Sequence, residues 1–218
     1  VPDEPNISDI ADERSVAQFL DALGSNAPTP GGGAACAVAG AMAAALAEMV
    51  AQFTVGKPAY AADDASMRAM IERAQHLRQV LLQLVTEDER GFAAVSAAYR
   101  LPKATEAERT ARTEAIQAAL QVAMQPPLQV MKYGCEVAVL ALAAAEAGNT
   151  SLASDAGCAA LFAEAAVRAA GLNVLANVVL MRDTAAAERL RRQVASYEQQ
   201  AAGLREQTMR HVNGHLGR

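Results

Sequence analysis

Aromatic side chains are nearly missing from this 218-residue chain: it has no tryptophan, four phenylalanines and four tyrosines. Its core must therefore be filled by alanine, valine, leucine and methionine, drawn from a hydrophobic share of 52 %. Such small fillers suit closely approaching helices rather than two packed sheets. Period-two alternation of useful length is also lacking, which argues against strands. An excess of positive charge is lacking as well; the net charge of −5 argues against a nucleic-acid binder, which needs a basic face. Cysteine is scarce, with Cys36, Cys135 and Cys158 odd in number, far apart and in apolar helical runs. They read as buried free thiols of a reducing compartment, and no CxxC pair offers a metal or redox site. No basic stretch followed by an apolar one opens the chain, so no signal peptide is expected. Long uncharged apolar runs are short of what a membrane span wants: Glu48 and Gln52 interrupt one candidate, and Lys132, Glu136 and Glu146 interrupt the other. The expectation is a cytoplasmic protein that engages neither membrane nor nucleic acid. His211 and His215 have i, i+4 spacing but no intervening Glu of a zincin, so no metal site is assigned.

What the chain does have is helical punctuation. Ser15 with Gln18 forms a capping box for a first helix ending near Gly24. Pro28-Thr29-Pro30-Gly31-Gly32-Gly33 follows, then an alanine-rich helix over residues 34–54. Gly56-Lys57-Pro58 breaks the chain, and Asp63 or Asp64 caps a long helix to about Leu101, stopped by Pro102. Thr105 with Glu108 is a second capping box, for a helix that Pro126-Pro127 ends. Residues 128–147 form the next helix, closed by Gly148-Asn149. Ser151 or Ser154 begins another to about Arg182, and Asp183 or Thr184 caps the last. The reading is all-α: an antiparallel bundle of about seven helices. Residues 1–14 are expected to be a flexible segment and 15–218 one helical domain.

Two places look like chemistry. A Gly-rich turn opening a helix presents unpaired N–H groups at the positive end of the helix dipole, a ready site for an anion or a polarised carbonyl. In the third helix, Met70, Ala74, Leu77, Leu81, Leu84, Asp88, Phe92, Val95 and Tyr99 follow in steps of three or four and share a face. Asp88 is thus an acid in an apolar seam. It is either a structural residue paired across the seam or a desolvated carboxyl suited to proton transfer. The helix from Ser154 carries Asp155, Asn173 and Asn177 on a face with Ala159, Phe162, Ala166, Ala170 and Leu180. Asp155 is as well placed to cap that helix as to meet a ligand. At 1.5 Å per residue, Asp155 and Asn173 stand ~27 Å apart, too far for one small pocket of one subunit. By the same arithmetic Lys103 is ~22 Å from Asp88.

In this order, Pro30-Gly31-Gly32-Gly33, Gly56-Lys57, Asp88 with Phe92, Leu101-Pro102-Lys103, Gly148-Asn149, Ser154-Asp155-Ala156-Gly157 and Asn173…Asn177 resemble the cyclodeaminase/cyclohydrolase family over residues 15–205. That family comprises methenyltetrahydrofolate cyclohydrolases and the C-terminal domain of formiminotransferase-cyclodeaminase. The resemblance implies an all-helical homodimer acting on a one-carbon derivative of tetrahydrofolate, with no cofactor beyond that substrate. It implies Asp88 as the catalytic acid and base. Pro30, Gly31, Gly32, Gly33, Lys57, Lys103, Asn149, Ser154, Asp155, Asn173 and Asn177 become candidate substrate contacts. Hydrolysis of the methenyl bridge is the expected reaction. Its alternatives are ammonia release from formiminotetrahydrofolate, a non-catalytic folate-binding bundle, or action on another cyclic amidine. The stretch Pro58-Ala59-Tyr60 replaces a basic run common in relatives, which puts tail affinity in question.

Overall fold

Local signals set most of the boundaries in the computed structural model, which describes residues 14–217. The Ser15 hydroxyl accepts from the Gln18 N–H and the Gln18 side chain returns the bond, starting α1 (Val16–Leu23). Helix α2 (Gly32–Gln52) begins at Gly31, which has no side chain to cap it. A 3₁₀ turn (Pro58–Asp63) leads into α3 (Asp64–Tyr99), the longest element. Thr105 and Glu108 close the second capping box at α4 (Glu106–Ala123). Then come α5 (Gln125–Ala147), a 3₁₀ turn (Thr150–Leu152), α6 (Ala153–Val178) and α7 (Thr184–Leu216), the last capped by Asp183. No strand occurs among the described residues. The architecture is the expected all-α bundle, with seven α-helices among the described residues.

Four details differ from the sequence reading. Pro126 and Pro127 sit inside the first turn of α5, where a missing N–H costs nothing, and only Met124 separates α4 from α5. Cys158 is exposed, because it lies on the outer face of α6; Cys36 and Cys135 are buried free thiols. The third-helix seam is buried through Leu84, but Phe92 and Tyr99 are exposed. Phe162 and Leu180 are likewise exposed on α6. The flexible segment expected over residues 1–14 lies, up to residue 13, outside the described residues; Arg14 pairs with Glu89 and stands over the Phe19 ring.

The core runs along α2, α5 and α6, where Ala37, Ala44, Ala138, Ala163 and Ala170 have no accessible surface. Alanine at facing positions brings these axes close together, and Gly40 meets Leu81 and Ala166, leaving little room for a side chain. By length and composition three stretches, Gly32–Gln52, Glu106–Ala147 and Thr150–Val178, qualify as membrane spans despite their interrupting charges. About half of each is buried within the bundle. Because α2 and α6 each run the length of the bundle, loops gather at two ends. One end holds residues 28–33 and the C-terminal part of α6; the other holds residues 54–60 and 148–155.

Candidate active site

At the first of these ends a cavity of about 390 Å³ opens between α2, α3, α5 and α6. This is at the lower end of the ~300–1,000 Å³ of small-molecule clefts, room for a fused ring with any longer tail outside. Three kinds of surface line it. Gly31, Gly32 and Gly33 bring the N-terminus of α2, Asp88 brings a carboxyl, and Asn173 and Asn177 bring amides. Phe92, Val95, Pro127 and Leu180 form the apolar part. Pro28 and Thr29 complete the rim, while Pro30, joined to Thr29 by a cis peptide bond, is buried behind it.

Asp88 acts as the cap that α2 lacks. Its carboxylate accepts the Ala34 N–H. A Cβ built on Gly33 would fall within 2.5 Å of every atom of that carboxyl group. Glycine is thus required at position 33 by close approach, since a side chain there would displace the acid. Burial pushes the Asp88 carboxyl above the usual aspartate range; the Ala34 N–H holds it back, and the charge of Glu89 adds to the rise. A raised pKa makes the carboxyl easier to protonate than an ordinary aspartate, the direction that general acid–base work favours. Beneath it the Cys36 thiol donates to the Gly33 carbonyl at 3.0 Å. Burial and the neighbouring Asp88 push that thiol to about 12, so it stays protonated.

The asparagines are held in one orientation by their own helix. Asn173 Nδ2 donates to the Ala169 carbonyl at 2.9 Å, and Asn177 Nδ2 donates to the Asn173 carbonyl at 3.1 Å. Each Oδ1 is left as an acceptor, and Asn173 Oδ1 lies opposite Gly32. The cavity therefore sets backbone donors on one wall against two amide acceptors and a carboxyl on another.

Of the residues singled out in the sequence, Gly31, Gly32, Gly33, Asp88, Asn173 and Asn177 come together here. Lys57, Asn149, Ser154 and Asp155 do not: they gather at the opposite end of α2 and α6. Asn149 is buried and spent within the fold. Its backbone N–H donates to Thr54 Oγ1 at 2.9 Å, its Nδ2 to the Phe53 carbonyl at 3.2 Å, and its Oδ1 accepts from Ser151 N–H at 3.1 Å. Lys57 is exposed in the turn after α2, beside Tyr60, whose hydroxyl accepts from the Thr150 N–H. Ser154 and Asp155 stand in the first turn of α6. Lys103 is exposed in the loop after α3. His211 Nε2 faces Glu146 at 3.4 Å on the outside of the bundle. The sequence reading missed Val95, Pro127, Ala176 and Leu180 as cavity residues. Pro127 was hidden by its reading as a helix breaker.

A larger cavity, about 490 Å³, lies between α1, α2 and α3. Its walls are apolar apart from Arg14 and Arg78, and it contains no carboxyl or amide to do chemistry. The smaller cavity, with Asp88 against the start of α2, is the candidate site.

Fold and site together define an all-helical protein that holds one desolvated acid against a glycine-rich helix start. The chain belongs to the formiminotransferase-cyclodeaminase family, whose model matches residues 15–196. It is 41 % identical over 197 residues to a methenyltetrahydrofolate cyclohydrolase of Methylorubrum extorquens, covering 90 % of this chain and 95 % of that protein. It is 35 % identical to the formimidoyltransferase-cyclodeaminase of Rattus norvegicus, over 92 % of this chain but 37 % of the larger rat protein. A crystal structure of a formiminotetrahydrofolate cyclodeaminase from Thermotoga maritima superposes with a TM-score of 0.85 at 32 % identity, covering 93 % of this chain and 97 % of that one.

Proposed function

We propose that this protein hydrolyses 5,10-methenyltetrahydrofolate to 10-formyltetrahydrofolate in the cytoplasm, using Asp88 as the proton-transfer group and no cofactor besides the folate substrate. The observation that carries the reading is the Asp88 carboxyl, partly buried and fixed by the Ala34 N–H in a ring-sized cavity. The similarity to a methenyltetrahydrofolate cyclohydrolase along nearly the whole of both chains supports the choice of substrate.

The bridge carbon is electrophilic because the methenyl group is a cationic amidinium. Ionised Asp88 attracts that cation and takes a proton from the attacking water as the C–O bond forms. The C–N5 bond then breaks with its electron pair going to N5, and protonated Asp88 delivers its proton there. The formyl group stays on N10, and the remaining hydroxyl proton leaves to solvent as the carbonyl forms. The N–H groups of Gly32 and Gly33 stabilise charge developing on that oxygen. Asn173 and Asn177 accept hydrogen bonds from N–H donors of the pterin. Lys57 and Lys103 hold the carboxylates of the glutamate tail.

A homodimer reconciles the two ends of the molecule. Cys158, Leu161, Ala165, Leu172, Ala176 and Val179 make an exposed stripe along α6, interrupted only near its centre by Arg168, and Leu172 and Val179 are 68 % and 75 % exposed. Paired antiparallel about a twofold axis near Arg168 and Ala169, the stripe matches itself: Cys158 meets Val179, Leu161 meets Ala176 and Ala165 meets Leu172. The same register sets Asp155 against Arg182, opposite charges. It delivers Ser154 and Asp155 of the partner subunit to the cavity mouth beside Leu180.

The test is the loss of methenyltetrahydrofolate absorbance with purified protein, corrected for the spontaneous rate. No acceleration would sink the hydrolase reading. Formiminotetrahydrofolate is assayed in parallel, because the cyclodeaminase relatives favour that as the second reading.

A further inference from the structure

Phe92 stands one helical turn beyond Asp88 and, among the cavity's wall residues, is the aromatic one. The chain has four phenylalanines, and this one leaves 47 % of its surface uncovered. Its ring adds little to the bundle core, since α3 is buried on that face only as far as Val85 and then again at Gly91 and Ala98. On the same side of α3, Asp88 and Phe92 are separated by ~6 Å along the axis. A planar ring lying on Phe92 therefore has its edge within reach of the carboxyl.

Building on the folate reading above, we infer that Phe92 is the platform on which the cationic ring system of the substrate stacks, and that it discriminates substrate from product by charge. The physical basis is the negative face of the benzene ring, which attracts a cation held within ~6 Å of it. Methenyltetrahydrofolate carries one positive charge, spread over the bridge; 10-formyltetrahydrofolate carries none there. Stacking is available to both, but the cation–π attraction belongs to the substrate alone and fades as water adds and the charge is quenched. Phe92 thus stabilises the bound ground state more than the transition state, so its removal raises KM and raises kcat rather than lowering it. It also lets the neutral product go.

Replacing Phe92 by leucine keeps an apolar side chain and removes the π face. The expected result is a KM for methenyltetrahydrofolate raised about ten-fold, a size set by a partly desolvated cation–π contact, with kcat raised as well, so that kcat/KM falls by less than KM rises. Phe92→Tyr restores the wild-type KM. Inhibition by 10-formyltetrahydrofolate weakens less than substrate binding does. Because the chain has no tryptophan, Phe92→Trp introduces a single indole, and titration with 5-formyltetrahydrofolate is expected to quench its emission saturably. Leu216→Trp, at the far end of α7, serves as the control that stays bright. A wild-type KM in Phe92→Leu, with the enzyme otherwise active, overturns the platform and leaves the hydrolase reading standing. A protein that turns over neither folate, yet shows quenching in Phe92→Trp, keeps the platform and overturns the enzyme. If neither turnover nor quenching is seen, both fall.

Discussion

The carboxyl of Asp88 occupies the space that a Cβ on Gly33 would need, so the acid of α3 and the glycine of α2 are one unit. The contact joins two functions. It closes the N-terminus of α2, which has no side-chain cap of its own, and it orients the acid toward the cavity. Gly33→Ala is therefore expected to fold but to lose at least ~10² in kcat/KM, because displacing a reacting group by about 1 Å costs that much. Gly203→Ala is the matched control. Nothing lies within 4 Å of the added methyl in the middle of α7. It should raise stability by ~0.5–1 kcal/mol, the helix cost of glycine, and leave turnover unchanged. Steady-state rates and thermal melts of the two variants check both statements.

Asp88→Asn separates stability from catalysis. The carboxyl is raised above its unfolded range by burial. The folded state thus keeps a proton where the unfolded state has lost one, and stability falls as pH climbs from the ordinary aspartate pKa through the raised one. Asparagine removes that penalty, and its Oδ1 still accepts the Ala34 N–H. The variant is expected to melt at or above the wild-type temperature at pH 7, the difference shrinking as pH is lowered toward the ordinary aspartate range. Turnover should drop by ~10²–10⁴, the usual contribution of a positioned acid–base group. In the wild type, kcat/KM should rise with pH through an apparent pKa above the common aspartate value. A variant that melts lower at every pH and keeps its activity would remove Asp88 from both roles.

The capping boxes at Ser15 and Thr105, the long third helix and the Asp88 seam position could be read from residue spacing, because each depends on neighbours within one or two turns. What spacing could not tell was where the third helix leaves the core. Leu84 and Phe92 fit the same periodic stripe, yet Leu84 is buried and Phe92 borders the cavity, since past Asp88 the helix runs beyond the start of α2 and packs beside α4. Pro127 shows the same limit in another form: a proline pair marks a helix boundary, but only the packing of α5 reveals that the second ring faces the site. Asn149 was legible as part of a motif. Its bonds to Phe53 and Thr54 depend on partners ninety-odd residues away, which no local pattern carries.

Asn173→Leu tests the amide acceptors. Its Nδ2 bond to Ala169 is a second bond to a carbonyl already inside a helix, so its loss should leave α6 intact. The amide lies against Gly32, and with Nδ2 bonded to Ala169 its Oδ1 is the acceptor left for a ligand. Removing it leaves a ligand N–H unpaired in a partly desolvated site, an effect of ~1–3 kcal/mol. That corresponds to a KM rise of about ten-fold or more, with folding and melting temperature little changed. Calorimetry with 5-formyltetrahydrofolate should show the same loss in affinity.

The proposed dimer makes the sharpest demand, because it requires residues at opposite ends of one subunit to meet across two. Leu172→Glu places a charge at the middle of the α6 stripe, where 68 % of the leucine is exposed in the single chain. If that surface pairs with itself, each dimer acquires two buried carboxylates near its axis, and light scattering should report a monomer with little activity. Cys158, on the same stripe, should react with a bulky thiol reagent faster in that variant than in the wild type. Mixing then tests which subunit supplies what. A dimer of one Asp88→Asn chain and one Asp155→Ala chain has both lesions in one site and neither in the other. Equal mixing after reversible dissociation is therefore expected to recover about a quarter of the wild-type activity from two nearly inactive proteins, as twofold symmetry dictates. If each subunit used its own Asp155, every site in the mixed dimer would carry one lesion and no activity would return.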